Sequence, residues 1–145
     1  HLRPRRQRQM CIRDRNNSAG NTPVAIGLCN PQGESIQLFV DFSNNEITLD
    51  RSKAAFKMAI PAFSNLLVAP LLFEKHENKE SIQVRIVKDT ASIEVFINHG
   101  LTSLTANYFT GAPLNTLEFE FSGAESEAQI EQLEVAELNS IWSQS

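Results

Sequence analysis

The sequence predicts an all-β fold, a two-sheet antiparallel β-sandwich of the jelly-roll or concanavalin-like kind. Apolar and polar residues alternate with a period of two in several short runs, and turn-forming residues recur about every 8–12 residues. The runs are also rich in β-branched and aromatic side chains. Two half-apolar sheets bury their faces against each other, and 145 residues suffice for one domain with its own core.

Seven short runs are predicted to form strands. They are 24–30, 35–42, 46–51, 81–88, 91–98, 101–109 and 114–121. The alternation is clearest in the last run, where apolar residues occupy every second position from Leu117 and glutamates fill the positions between. Asn30–Gly33 and Asn98–Gly100 are turn sequences, and Gly100 is suited to a positive φ angle.

Two further segments are less regular. Residues 126–138 combine acids and alanine, which favour a helix, with Leu133 and Val135, which favour a final strand. Residues 53–70 are expected to be irregular, because Pro61 and Pro70 interrupt any long element. We therefore expect eight to ten short strands in total.

The composition fits a folded protein in water. Hydrophobic residues make up 41% and charged residues 21% of the chain. No stretch approaches the roughly 20 apolar residues that a membrane-spanning helix requires. The sequence therefore predicts no membrane span.

The charge is distributed unevenly. Residues 1–15 hold six arginines against Asp14, a net charge of +5, whereas residues 16–145 carry a net −9. The Arg-rich segment could be a basic arm for nucleic acid or anionic lipid, but it lacks apolar periodicity and looks like an adapter- or cloning-derived stretch. We expect residues 1–15 to be a non-native or disordered basic tail, and residues 16–145 to form the domain. The acidic body argues against a nucleic-acid partner.

Cysteine and histidine residues suggest no special chemistry. Cys11 lies in the basic tail, and Cys29 has the character of a small buried apolar residue. The three histidines are scattered without the spacing of metal ligands. We predict no metal site and no cofactor.

Four strings resemble a known family. They are ITLDRS (47–52), IQVRIVKDTASIEVFINHG (82–100), LTANYF (104–109) and LEVAELNSIW (133–142). In order and spacing they are similar to the C-terminal β-sandwich module of glycoside hydrolase family 32, the levanases, inulinases and invertases. The resemblance covers about 24–142 and departs from the family at two connections. Lys53 to Ala55 stand where a glycine is usual, and Thr110 stands where proline is common.

This resemblance implies a five-bladed catalytic propeller N-terminal to the module. The retaining reaction needs two carboxyl groups about 5–5.5 Å apart. In the family these belong to a Trp-Met-Asn-Asp-Pro-Asn-Gly-like motif and a Glu-Cys motif, which this sequence lacks; Arg13-Asp14-Arg15 only echoes the third motif, Arg-Asp-Pro. No hydrolysis is expected from this chain alone, which would be a fragment of a fructan or sucrose hydrolase beginning near residues 16–21. Family habit favours a secreted or periplasmic location over a cytoplasmic one.

Two roles follow for such a module. The first is to stabilise or dock on the propeller, with homo-oligomer contacts as a further option. The alternative is a fructan-binding module for levan or inulin. A sugar site could use Asp50, Arg51 and Glu94, because planar bidentate groups suit vicinal diols, and Trp142 could stack on a ring. Equally, the charged residues could brace strands and Trp142 could pack the chain end.

Phe39 and Phe96 are the candidate docking residues. Both fall on strand faces that they share with polar residues. Large aromatics in such positions anchor interfaces, so the sequence suggests contact with the propeller. The alternatives are that loops of the module cover them, or that they stack on sugar.

Overall fold

The computed structural model describes residues 5–14, 24–54, 65–73, 81–89, 91–121 and 128–138. These ranges contain ten strands. They are β1 (Arg5–Asp14), β2 (Val24–Cys29), β3 (Ser35–Asp41), β4 (Glu46–Asp50), β5 (Leu66–Pro70), β6 (Ser81–Lys88), β7 (Ser92–Ile97), β8 (Thr102–Asn107), β9 (Thr116–Phe121) and β10 (Ala128–Leu138). No helix that could cross a membrane occurs in these ranges.

The strands form two five-stranded antiparallel sheets. Sheet A has the order β10-β1-β6-β7-β8, and sheet B has the order β5-β4-β3-β2-β9. The predicted all-β, two-sheet antiparallel sandwich is therefore confirmed.

The core lies between the two sheets. Every second residue of β3, β4, β6 and β7 is buried, as the period-two pattern predicts. The fully buried side chains are mostly Ile, Leu and Val, and each contributes about 1.5–3 kcal/mol when removed from water. The residues between them face outward, so each sheet also has an outer face.

Two less regular segments form strands. Residues 128–138 form β10, and a bulge in its pairing with β1 leaves Glu131 without a partner position. The bulge places Ile130 and Leu133 opposite Ile12 and Met10. The spacing of three between Ile130 and Leu133, which is typical of a helix, is thereby compatible with a strand, because the bulge adds one residue between them. The expectation of irregular structure was wrong for 66–70, which form the edge strand β5 with Pro70 at its end.

The basic segment differs most from expectation. Residues 5–14, predicted to belong to a non-native or disordered tail, form a strand between β10 and β6. Backbone pairing on both sides holds β1, with Arg8 in register with the buried Ile86. A period-two pattern normally has an apolar residue at such a register position, so the residues of β1 do not predict a strand. That the segment is non-native stays a prediction.

Candidate functional site

Arg51 lies immediately after β4 and joins the two sheets. Its side chain is buried, and Nη1 donates a hydrogen bond of 2.8 Å to the carbonyl oxygen of Asn107, at the end of β8. Its backbone N–H donates to the carbonyl of Asn65 at 2.9 Å. Burial lowers the pKa of the Arg51 guanidinium, which nevertheless stays charged.

The turn that Arg51 opens makes a second link between the sheets. The Ala54 N–H donates to the Arg51 carbonyl at 3.0 Å, and the Phe109 N–H donates to the Ala54 carbonyl at 2.8 Å. Asp50 stabilises the same turn, because its Oδ1 accepts a 2.9 Å bond from the Ser52 N–H. The Asp-Arg-Ser sequence therefore ends β4 and fixes it to the end of β8.

A different set of polar groups links the two sheets near the start of β8 and the end of β5. Thr102 Oγ1 donates to the carbonyl of Pro70 at 2.7 Å, and Asn98 Nδ2 donates to the carbonyl of Leu72 at 2.8 Å. Asn98 is 3% exposed and has a φ of 50°. Its Oδ1 accepts from the Gln83 N–H at 3.0 Å. We call the side of the sandwich where β5 and β8 lie together the seam, with an Arg51 end and an Asn98 end.

The seam occupies outward carbonyls at the ends of two edge strands. Residues 51 and 65 are directly opposite and hydrogen-bonded, as are 45 and 71, so the odd-numbered residues of β5 bond to β4. The carbonyls of Pro70 and Leu72 therefore point away from β4, where Thr102 and Asn98 donate to them. The bond from the Tyr108 N–H to the Ala91 carbonyl likewise directs the Asn107 carbonyl outward, to Arg51. Side chains thus cap the ends of both edge strands.

The predicted sugar-binding residues do not converge. Asp50 follows the buried Leu49 and lies on the outer face of sheet B, in register with Gln37 and Leu66. Glu94 lies between buried Ile93 and Val95, on the outer face of sheet A. Arg51 lies on the seam between the two sheets. Trp142 is outside the described residues.

The predicted docking residues also lie apart. Phe39 is half-buried on the outer face of sheet B, in register with Ala25 and Thr48. Phe96 is half-buried on the outer face of sheet A, where the Arg85 guanidinium carbon lies 5.1 Å from the centre of its ring. The two outer faces point in opposite directions, so one flat contact cannot include both rings.

Sequence reasoning missed several residues that organise the seam and its neighbourhood. Tyr108 is 1% exposed, and its hydroxyl donates to the Asp89 carbonyl. Burial, together with the Asp89 charge, raises the pKa of Tyr108 to about 12. Asn30, expected only as a turn residue, accepts from two backbone N–H groups of its own turn and donates to the Ala112 carbonyl at 2.9 Å. The partners are backbone groups, which leave no sequence signal.

Ionisable groups form no evident reaction centre in the described part of the chain. Burial raises the pKa of the Cys29 thiol, and the neighbouring Glu118 carboxylate raises it further. No group of three or more His, Cys, Asp or Glu side chains could hold a metal ion among the described residues. The polar groups of the seam cap the ends of strands and join the two sheets.

Fold and polar links together define a class, the two-sheet antiparallel β-sandwich domain. The family model for the C-terminal domain of glycosyl hydrolases family 32 matches residues 9–137. This chain belongs to that family. The match begins within β1, inside the segment predicted to be a tail.

One relative is similar in sequence, and solved structures are similar in fold. A protein of Aspergillus rugulosus described as a glycosyl hydrolase is 26% identical over 126 residues, which are 87% of this chain and 17% of that protein. The exo-inulinase of Aspergillus awamori has a TM-score of 0.70 at 21% identity, covering 93% of this chain and 26% of that one. A fructofuranosidase of Schwanniomyces occidentalis, solved with fructosylnystose, has a TM-score of 0.73 at 17% identity, covering 93% and 29% respectively. The chain thus spans less than a third of each.

Proposed function

We propose that this chain acts as the non-catalytic C-terminal module of a fructosidase, docking on its N-terminal catalytic domain and stabilising it. The observation that carries the proposal is the match of 9–137 to a C-terminal domain family, in a chain that spans 17% of its curated relative. The hydrogen bond of Arg51 within the domain also supports the proposal. The most distinctive charged residue of the family-like sequence binds a carbonyl of its own domain rather than facing an open site.

The test is stabilisation in trans. The catalytic domain encoded upstream in the source genome would be produced separately and mixed with this chain. A ligand that binds only the folded state raises the melting temperature, by an amount that grows with its concentration. We expect a concentration-dependent rise in the Tm of the catalytic domain. An unchanged Tm at a large excess of folded chain would contradict the proposal.

One observation favours a second function, fructan binding. Phe96, Glu94 and Ser103 lie on the outer face of sheet A and offer an aromatic ring, a carboxylate and a hydroxyl group. Such groups bind sugars by stacking and by hydrogen bonds to hydroxyls. Arg85, however, already lies over the Phe96 ring. Affinity electrophoresis in gels containing levan, inulin or no polysaccharide tests this function. Retardation that is lost in Phe96→Ala supports it, and unaltered mobility of the folded chain excludes it.

A further inference from the structure

The two sheets carry very different charges. The five strands of sheet B contain no lysine or arginine. Their five acidic residues, which share the outer face, are Asp41, Glu46, Asp50, Glu118 and Glu120. The strands of sheet A, in contrast, include Arg85 and Lys88 of β6 and four arginines of β1. The strands of sheet B therefore carry only acidic charges on their outer face, while Lys53, which follows β4, acts on Cys29 of that face.

Apolar side chains interrupt this acidic face near β5. Leu66 and Val68 are 54% and 59% exposed. Val68 is in register with Thr48, which is in register with the half-buried Phe39. We call these apolar residues, Phe39, Leu66 and Val68, the apolar stripe. The alternate residues of β5 already pack toward the core, so the fold does not require the exposure of Leu66 and Val68.

The seam decides how a partner can use β5. Partners often add a strand to an exposed sheet edge, but here the outward carbonyls of Pro70 and Leu72 already accept bonds from Thr102 and Asn98. Pro70 also has no N–H to offer. At this end of β5 a partner would therefore contact the side chains of the outer face and not the backbone of the edge.

Charge selects the partner. Two copies of sheet B placed face to face would bring ten carboxylates together, and like charges across an interface are strongly unfavourable. The partner needs an apolar centre opposite the stripe and basic groups around it. We infer that the outer face of sheet B docks on a surface of the catalytic domain that presents apolar side chains ringed by Lys or Arg, an inference that rests on the proposed function.

The experiment compares two exposed edge-strand residues that face outward from opposite sheets. Val68→Asp places a charge in the apolar stripe, and Thr105→Asp places the same charge on the outer face of sheet A. Binding of each full chain to the separately produced catalytic domain would be measured by calorimetry. We expect Val68→Asp to weaken binding at least about tenfold and Thr105→Asp by less than about twofold.

Salt and charge reversal test the electrostatic part. The affinity of the unaltered chain for the catalytic domain should fall as NaCl rises from roughly 50 to 500 mM. This rise in ionic strength shortens the electrostatic screening length severalfold. Glu118→Lys combined with Glu120→Lys should weaken binding at low salt and flatten that dependence. Salt-independent binding that these changes leave intact would overturn the charge assignment.

The outcomes separate the two proposals. If the unaltered chain binds and Thr105→Asp is the variant that fails, the docking face is sheet A and this inference is wrong while the proposed function stands. If the unaltered chain does not bind at all, the proposed function itself fails. Thermal unfolding of each variant alone shows that it is folded. If the isolated chain dimerises and Val68→Asp abolishes the dimer, the partner of the apolar stripe is a second copy of this chain, and the inference is wrong.

Discussion

The two ends of the seam solve one problem with different chemistry. At the Arg51 end a buried guanidinium donates to a carbonyl of β8, and removing that charge from water opposes folding. At the Asn98 end a neutral amide and a hydroxyl donate to carbonyls near β5, without a charge to desolvate. Because the amide and the hydroxyl at the neutral end are hydrogen-bonded, we expect that end to stabilise the sandwich as much as the charged end does.

The largest expected effect is at the neutral end. Asn98→Ala removes the bonds to Leu72 and Gln83 and leaves a non-glycine residue at a φ of 50°. We expect a loss of about 2–4 kcal/mol in the free energy of unfolding, measured in urea. Asn45→Ala is the matched control, because Asn45 has a φ of 52° but is exposed. Equal losses in both variants would mean that backbone conformation, and not the brace, is responsible.

The charged end comes next. Arg51→Ala leaves the Asn107 carbonyl without this donor, and we expect a loss of about 2–3 kcal/mol. Arg51→Met keeps the aliphatic stem and removes the charge to be desolvated, so it should lose less than the alanine variant. Arg85→Ala, on an exposed position of the outer face, should lose less than about 1 kcal/mol. If Arg51→Met were as damaging as Arg51→Ala, desolvation would be a minor part of the balance.

Alkaline pH adds a change confined to the neighbourhood of the Arg51 end. The pKa of Tyr108 is raised to about 12 in the folded state, above the value near 10 of an unfolded tyrosine. The folded state therefore keeps the proton that the unfolded state loses, and stability should fall as the pH rises from about 10 toward 12. The Tm measured across this range should decline less steeply for Tyr108→Phe. Parallel declines for both proteins would assign the alkaline loss to other groups.

The smallest effect is at Thr102. Thr102→Val keeps the shape of the side chain and removes one neutral hydrogen bond to Pro70, which is worth about 0.5–1.5 kcal/mol. Thr105→Val, on the exposed side of the same strand, should change stability by no more than about 0.5 kcal/mol. A larger loss for Thr102→Val than for Asn98→Ala would reverse the ranking within the neutral end.

Much of the fold is predictable from the sequence because burial alternates with period two. The pattern identifies β3, β4, β6 and β7 almost to the residue. It fails at β10, where a bulge adds a residue, and at β5, where both sides of the strand are apolar. It also fails at β1, where backbone pairing holds a strand without an apolar pattern.

The site was less predictable for a physical reason. Alternation shows that Phe39 and Phe96 face outward, but only the pairing of strands shows that they face away from each other. Asp50, Arg51 and Glu94 have the right chemistry for sugar, and the structure distributes them over two outer faces and a seam. The role of Asn98 depends on the backbone carbonyl of Leu72. Because every residue has a backbone carbonyl, the sequence does not show which one Asn98 binds.

The position of β1 has a consequence for biosynthesis. The first strand described lies between β6 and β10, and Arg5 is in register with Leu138 near the end of the last strand. Sheet A can therefore be completed only after nearly the whole chain has left the ribosome, and sheet B is completed only slightly earlier, because β2 pairs with β9 as well as with β3. Contacts so distant along the chain slow folding. Until these late strands arrive, the inner faces of both sheets stay partly uncovered and accessible to molecular chaperones.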